Sequence, residues 1–120
     1  MEDAELLGEA MRSAERAYAP YSGFRVGAAV LTRDGRVFTG TNVENGSYGL
    51  TLCAERSALA CATAAGVKPG DVEAVAATAS PCGACRQWLL EFRVDRAVFP
   101  WEGGVAVRTL DELLPDSFTL

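Results

Sequence analysis

Three cysteines stand at two places in the chain, and each place is the start of a segment with the composition of a helix. Thr51–Arg56 contains Cys53, and Ser80–Cys85 contains Cys82 and Cys85. Residues three apart on a helix lie on one face, so the last two thiols can point at the same spot. If all three thiols bind one ion, the fold must bring the starts of the two helices together.

Three cysteine ligands indicate a catalytic zinc ion. A structural zinc ion normally has four protein ligands, whereas a catalytic one keeps three and leaves a position for water. Glu55 follows Cys53 by two residues, so its carboxylate can lie near the metal without binding it and can carry protons. Arg56 can donate hydrogen bonds to the thiolates and offset their charge. The sequence therefore predicts one Zn²⁺ per subunit, with Cys53, Cys82 and Cys85 as ligands.

Two other interpretations of the cysteines are possible. Cys82 and Cys85 could form a redox dithiol, but this would leave Cys53 and Glu55 unexplained. A structural site with four cysteines would need Cys61, which lies more than two helical turns beyond Cys53. We therefore interpret Cys61 as a small buried apolar residue.

The composition excludes several classes of function. The chain has no histidine, which removes Ser-His-Asp and Cys-His catalysis and histidine ligands to a metal. Its formal net charge is −5 and its Lys and Arg residues are not clustered, which argues against nucleic acid as a partner. No apolar run approaches the roughly 20 residues of a membrane span. A small-molecule ligand fits this composition better.

The first residues are acidic and lack the basic and apolar parts of a secretory leader. We therefore expect a cytoplasmic protein, in which cysteines stay reduced and are available to a metal.

Apolar periodicity and turn residues predict ten segments. The first half has a helix over 2–18, strands over 26–31 and 36–41 around Asp34-Gly35, a loop over 42–49, and a helix over 52–65 capped by Thr51. The second half has a strand over 72–79, a helix to about 92 with Ser80 as its N-cap and Pro81 at its first position, strands over 96–99 and 105–109, and a helix through 114 capped by Thr109 and Glu112.

This order predicts an α/β fold. It gives a three-layer α/β/α arrangement, with a mixed sheet of about five strands and helices on both faces. A length of 120 residues suits one domain, residues 1–120.

Five motifs, in order, resemble the small cytidine deaminases over nearly the whole chain. They are Ala19–Ala28, Asn42–Asn45, Cys53–Arg56, Pro81–Gln87 and Leu113–Pro115. The same pairing of a zinc site with a glutamate is general to zinc deaminases.

The resemblance implies roles for individual residues. Cys53, Cys82 and Cys85 would bind zinc, and Glu55 would transfer protons. The remaining residues would contact substrate: Phe24 would pack on the base, Asn42 and Glu44 would hold the ribose hydroxyls, the Ala54 amide would meet the base carbonyl, and the Ser80 carbonyl would accept from the departing amine.

The family's compact branch, which has cysteine as its first ligand, is homotetrameric, with sites completed across subunit boundaries. By this resemblance Gly46, Tyr48 and Phe118 would serve a neighbour's pocket. From the residues alone, Phe24 and Phe118 could equally be core aromatics, and Asn42 and Glu44 could be ordinary polar loop residues.

The sequence thus predicts hydrolytic deamination of cytidine and 2′-deoxycytidine to uridine and 2′-deoxyuridine, with release of ammonia, as in pyrimidine salvage. The alternatives are a deaminase of a cytosine-containing antibiotic nucleoside or of a nucleotide, and a non-catalytic zinc-binding module. Asn42 and Glu44 favour an unphosphorylated sugar, because Glu44 would repel a phosphate group.

Overall fold

The structure is a computed structural model that describes residues 1–120. In chain order its elements are α1 (Asp3–Ala14), β1 (Gly27–Thr32), β2 (Val37–Thr41), a 3₁₀ turn (Tyr48–Leu50), α2 (Ala54–Ala64), β3 (Val72–Ala77), α3 (Gly83–Glu91), β4 (Arg96–Trp101), β5 (Gly104–Arg108) and α4 (Leu110–Leu113). None of its helices is long and apolar enough to cross a membrane.

The five strands form one mixed sheet, with the order β2-β1-β3-β4-β5. Neighbouring strands are antiparallel except β3 and β4, which are parallel and are connected through α3. A parallel pair needs a crossover connection, and a helix is the usual one. The predicted five-stranded α/β fold is confirmed.

The helices cover the two faces of the sheet unequally. On one face α1 packs alone, with Leu6 and Ala10 against the sheet residues Ala29 and Val98. On the other face α2 and α3 pack together, and Leu59 and Leu89 are fully buried there. Strand residues alternate between faces, so β1 and β3 contribute to both cores. The layers are α1, the sheet, and α2 with α3.

Two glycines allow the helices to lie unusually close to the sheet. A Cβ on Gly27 would lie 2.0 Å from the carbonyl oxygen of Ala10 in α1. A Cβ on Gly40 would lie 2.3 Å from the amide nitrogen of Ala58 in α2. Real Cβ atoms do not approach backbone this closely, so only glycine fits at these two positions.

The first helix is shorter than predicted. It ends at Ala14 instead of residue 18, because the backbone of Tyr18 pairs with the loop after β2. The Tyr18 amide donates to the carbonyl of Asn42, and the Glu44 amide donates to the carbonyl of Tyr18. The apolar periodicity of the sequence continues to residue 18, but the long-range backbone hydrogen bonds of Tyr18 are not compatible with a helix there.

The other predicted bounds differ by one or two residues at most ends. β3 stops at Ala77, before the predicted end at 79, and β4 continues to Trp101, beyond the predicted 99. Glu102 and Gly103 both have positive φ and form the tight turn into β5. The capping box of Thr109 and Glu112 is confirmed, and α4 follows it.

Candidate active site

The amino ends of α2 and α3 meet on the same face of the sheet. The prediction that Thr51 and Ser80 are the N-caps is wrong. Each helix begins two residues later than predicted, and the N-caps of α2 and α3 are Cys53 and Cys82. Both cysteines have extended backbone, and the Cys82 sulfur accepts a hydrogen bond from the Cys85 amide at 3.5 Å. The cap positions place both sulfurs at the positive ends of the helix dipoles.

The three thiols form a group that fits a tetrahedral metal ion. The Sγ atoms of Cys53 and Cys82 lie 3.8 Å apart, and all three Sγ atoms, including that of Cys85, lie within 4.8 Å of one another. Ligands about 2.3 Å from a tetrahedral zinc ion are about 3.8 Å from each other. The spacing of these sulfurs therefore suits zinc with little rearrangement.

The thiols of Cys82 and Cys85 differ in the direction in which their surroundings shift the pKa. Burial raises the pKa of the Cys85 thiol, and the nearby Glu55 carboxylate and Cys53 thiolate raise it further. The pKa of Cys82 is lowered: burial opposes this, but the Cys85 amide and the hydrogen bonds to the thiols of Cys85 and Cys53 outweigh it. A divalent cation would reverse the direction at Cys85, since a coordinating thiol is deprotonated.

Arg56 lies against this cluster without a carboxylate partner. Its terminal nitrogen is 3.4 Å from the Cys53 Sγ and 3.3 Å from the Thr51 carbonyl oxygen. The Cys53 thiolate raises the pKa of Arg56, while the Arg56 Nε is buried without a hydrogen-bond partner. A cation in this position is best compensated when the neighbouring thiols carry negative charge, as they do around a metal ion.

Glu55 is the one buried carboxylate of the chain. It is 4% exposed and occupies the second position of α2. Burial raises its pKa, while hydrogen bonds from its own amide and the Cys85 thiol, together with the charge of Arg56, act in the opposite direction. A carboxyl group whose pKa is raised by burial can accept and return a proton near neutral pH.

A cavity of about 220 Å³ opens beside Glu55 and the thiols of Cys53 and Cys82. Its lining includes four of the residues expected to contact substrate, namely Phe24, Asn42, Ala54 and Ser80. The Ala54 amide is at the first position of α2, where a helix leaves its amides without internal acceptors. The Asn42 side chain accepts from the Val26 amide at 2.9 Å and donates to the Phe24 carbonyl at 2.8 Å.

Glu44, Tyr48 and Gly46 lie beside a neighbouring depression, outside the cavity. Glu44 and Tyr48 line it, and Gly46 lies close to the Tyr21 hydroxyl. The Glu44 carboxylate accepts from the amides of Tyr21 and Ser22, at 2.9 and 3.1 Å, and from the Ser22 hydroxyl. These hydrogen bonds connect the loop before β1 to the loop after β2.

Phe118 does not line the cavity of its own chain. It lies beside α3 with Gln87, Leu90 and Arg93, and it is 72% exposed. Phe24 is 62% exposed, so neither phenylalanine belongs to the core. The interpretation of Cys61 as buried is wrong: it is exposed on α2, because its position faces away from the sheet.

Sequence reasoning missed Arg86 and Ser22. The Arg86 side chain donates to the carbonyls of Pro81 and Leu113 and to the Ser80 hydroxyl. Ser22 connects Glu44 to the Phe24 amide, which donates to the Ser22 hydroxyl at 3.0 Å. Arg86 lies in the motif Pro81–Gln87 and Ser22 in the motif Ala19–Ala28, but neither residue was given a role, because the partners of both side chains are set by the tertiary fold.

Comparisons with known proteins agree with this site. Residues 1–100 match the family model "Cytidine and deoxycytidylate deaminase zinc-binding region". A cytidine deaminase of Halalkalibacterium halodurans is 46% identical, with 99% of this chain and 96% of that protein aligned. One of Mycobacterium tuberculosis is 48% identical, with 96% and 88% aligned.

Solved structures show the same similarity. The crystal structure of cytidine deaminase from Burkholderia pseudomallei superposes with a TM-score of 0.91 at 47% identity, covering 98% of this chain and all of that one. The Mycobacterium tuberculosis enzyme superposes with a TM-score of 0.87 at 43% identity, covering 100% and 99%. The fold and the cysteine site define a zinc-binding deaminase. The chain belongs to the cytidine and deoxycytidylate deaminase family.

Proposed function

We propose that this protein hydrolyses cytidine and 2′-deoxycytidine to uridine and 2′-deoxyuridine, with release of ammonia. One observation carries the proposal: a buried glutamate with a raised pKa stands beside three converging thiols at the wall of a cavity. The high identity to named cytidine deaminases along nearly the whole chain supports the same substrate class.

Cys53, Cys82 and Cys85 would hold one zinc ion per chain. When bound, zinc supplies a Lewis acid that activates water as a nucleophile at neutral pH. Glu55 would take one proton of that water and deliver it to the ring nitrogen of the base. It would then take the second proton of the former water and deliver it to the departing amine, which leaves as ammonia. Arg56 would keep the thiolates from accumulating uncompensated charge, through its hydrogen bond to Cys53.

The walls of the cavity would orient the base. The Ala54 amide would donate to the base carbonyl, and the Ser80 carbonyl would accept from the leaving amine. Phe24, whose side chain is mostly exposed, would cover one face of the ring. These groups come from three separate elements and meet at one cavity.

Asn42 and Glu44 retain hydrogen-bonding capacity for a sugar. The Asn42 amide uses one acceptor site and one N–H within the chain, leaving one of each. The Glu44 carboxylate accepts three hydrogen bonds, and a carboxylate has about four acceptor sites. Its negative charge would favour a sugar hydroxyl and disfavour a phosphate nearby.

The decisive experiment is ultraviolet monitoring of the purified protein with cytidine, deoxycytidine and their monophosphates, together with a zinc measurement. We expect both nucleosides to be consumed and the monophosphates to be left intact. A zinc-loaded protein that consumes neither nucleoside would refute the assignment, and a preference for monophosphates would move the chain to the nucleotide branch of its family.

We also infer a homotetramer in which neighbouring subunits complete each site. The cavity within one chain is smaller than the 300–1,000 Å³ or so of typical small-molecule sites. Tyr48 and Phe118 are large, exposed side chains outside the cavity of their own chain, as expected if they line the cavity of a neighbouring subunit.

Light scattering should give the mass of four chains of 12.7 kDa each. Phe118→Ala should lower activity although Phe118 does not line its own chain's cavity.

We also propose that the protein is cytoplasmic and acts in pyrimidine salvage. All four cysteines have free thiols, which fits a protein of a reducing compartment. Release of uridine and deoxyuridine would return the pyrimidine ring to nucleotide synthesis. The chain would act as one domain, residues 1–120, because a single sheet supports both faces of its core.

A further inference from the structure

We propose that Arg86 is a positioning residue for this site. Its guanidinium holds the segment Ser80–Cys82 from outside the cavity, and so orients the Ser80 carbonyl and the Cys82 thiol. The proposal rests on the deaminase function above, since it assigns a role in that reaction. Arg86 does not line the catalytic cavity, whereas Ser80 borders both that cavity and the depression that contains Arg86.

Three nitrogens of one guanidinium make three separate contacts. Nε donates to the Pro81 carbonyl at 2.9 Å, Nη1 to the Leu113 carbonyl at 2.9 Å, and Nη2 to the Ser80 hydroxyl at 3.3 Å. Only the planar fork of an arginine presents donors in three fixed directions. The Arg86 backbone amide also donates to the Cys82 carbonyl, at 2.9 Å, so main chain and side chain hold the same segment.

All three side-chain partners of Arg86 are uncharged. Its guanidinium is absent from the five ion pairs of the structure, in contrast with Arg96, which pairs with Asp3 and Glu73. Two of the three partners are main-chain carbonyls. The contacts of Arg86 therefore fix backbone direction.

This matters at Ser80–Cys82 because Pro81 has no N–H by which the segment could be held. Pro81 can be held through its carbonyl group, which accepts a hydrogen bond from Arg86 on the side away from the cavity. Successive carbonyls of a non-helical chain point in different directions, so fixing that of Pro81 leaves that of Ser80 free to face the cavity. Cys82 follows directly, and its extended backbone at the cap of α3 sets the direction of its sulfur.

The third contact connects this segment to the last helix. The Leu113 carbonyl belongs to α4, and the Leu113 side chain is buried in the larger core cluster. Arg86 thus ties Ser80–Cys82 to an element that is itself fixed by packing. A positioning group is effective when its own surroundings are rigid.

The test compares Arg86→Gln and Arg86→Lys with Arg16→Gln. Arg16 is exposed just after α1 and makes no side-chain hydrogen bond, so it is a matched control.

The measurements are kcat and KM for cytidine, the rate of zinc loss to a chelator, and the absorption spectrum of the cobalt-substituted protein. For Arg86→Gln we expect a fall in kcat of about 10- to 100-fold, the size of comparable losses around metal sites. We also expect faster zinc loss, a shifted cobalt spectrum and little change in KM.

Arg86→Lys should recover only part of kcat, because an ammonium group cannot reach three partners in fixed directions. The proposal is overturned if folded Arg86→Gln matches Arg16→Gln in kcat, zinc loss and cobalt spectrum. It is also overturned if Arg86→Gln loses thermal stability while kcat per bound zinc is unchanged, since that result would assign Arg86 to the fold alone.

If Arg86→Gln fails to fold, Ser80→Ala decides, because it removes only the partner of Nη2. A smaller fall in kcat at constant KM supports the proposal, and an unchanged kcat contradicts it. If the wild-type protein consumes no nucleoside, the deaminase assignment fails separately. The zinc-loss rates and cobalt spectra of the Arg86 and Arg16 variants would still show whether Arg86 acts on the cysteine site.

Discussion

The sulfurs of Cys53 and Cys82 lie 3.8 Å apart, although they cap two different helices. This separation is the one that a shared tetrahedral zinc ion requires. It makes the cysteine site a property of the tertiary fold, because neither helix could create it alone.

Cys82→Ser should therefore lose zinc and stability together. A metal that binds only the folded state adds its binding free energy to that of folding, so Tm should fall by about 10 °C or more. Cys61→Ser is the matched control, because Cys61 is exposed and outside the cluster. Zinc content by atomic emission and Tm by calorimetry check this. Full zinc occupancy in Cys82→Ser would contradict the ligand assignment.

Glu55→Gln should abolish most turnover while keeping the metal. The amide has nearly the shape of the carboxyl group but cannot carry a proton, and a positioned acid–base group contributes about 10²- to 10⁴-fold. Glu15→Gln, at an exposed position with no side-chain hydrogen bond, should retain full activity. Steady-state rates normalised to bound zinc are the measurement. Normal turnover by Glu55→Gln would show that another group moves the proton.

Phe24→Ala should raise KM and leave stability nearly unchanged, because Phe24 is 62% exposed. Phe99→Ala supplies the contrast, since Phe99 is 3% exposed and loss of a buried phenylalanine costs about 3–5 kcal/mol. Urea unfolding and the KM for cytidine are measured side by side. Equal destabilisation by the two substitutions would assign Phe24 to the core.

Ser22→Ala should raise the pKa of Glu44. The Ser22 hydroxyl is the main cause of the lowered pKa of this carboxyl group, helped by the amides of Tyr21 and Ser22 and opposed by partial burial. Without the Ser22 hydroxyl, Glu44 becomes protonated at a higher pH. The acid limb of the kcat/KM profile should therefore move to higher pH. A ¹³C NMR titration of the glutamates, with Glu15 as an exposed reference, gives the pKa directly. An unmoved Glu44 resonance would refute the coupling.

Gly40→Ala should destabilise the protein strongly. The new Cβ would lie 2.3 Å from the backbone nitrogen of Ala58, and a helix cannot move aside as a flexible side chain can. Overpacking usually costs about 1–3 kcal/mol, and we expect the upper end or more because backbone must shift. At Gly104 the nearest atom to a new Cβ is 3.9 Å away, so Gly104→Ala should be nearly neutral. Chemical denaturation of both variants decides the point.

Much of the fold followed from local patterns. The Asp34-Gly35 turn, the apolar run after Asp71 and the capping box at Thr109 each depend on residues close in sequence, and each is present in the structure. The helix starts at Cys53 and Cys82 were misplaced because serine and threonine are normally the better caps. Here the sulfur of Cys82 takes that role for α3.

The remaining parts of the site depend on distant contacts that no local pattern contains. The end of α1 is set by pairing of Tyr18 with the loop after β2, and Arg86 reaches Leu113 across the fold. The Glu44 hydrogen bonds to Tyr21 and Ser22 likewise join two loops separated by β1 and β2. The roles predicted for individual residues toward the substrate follow from the family resemblance alone.

The two helix caps that carry Cys53 and Cys82 also impose an order on biosynthesis. During translation Cys53 emerges before α3 exists, because Cys82 and Cys85 follow it by 29 and 32 residues. Until then the nascent chain carries unprotected sulfur nucleophiles. The complete set of three thiols exists only after Cys85 has been synthesised, so an ion held by all three can bind only late in synthesis.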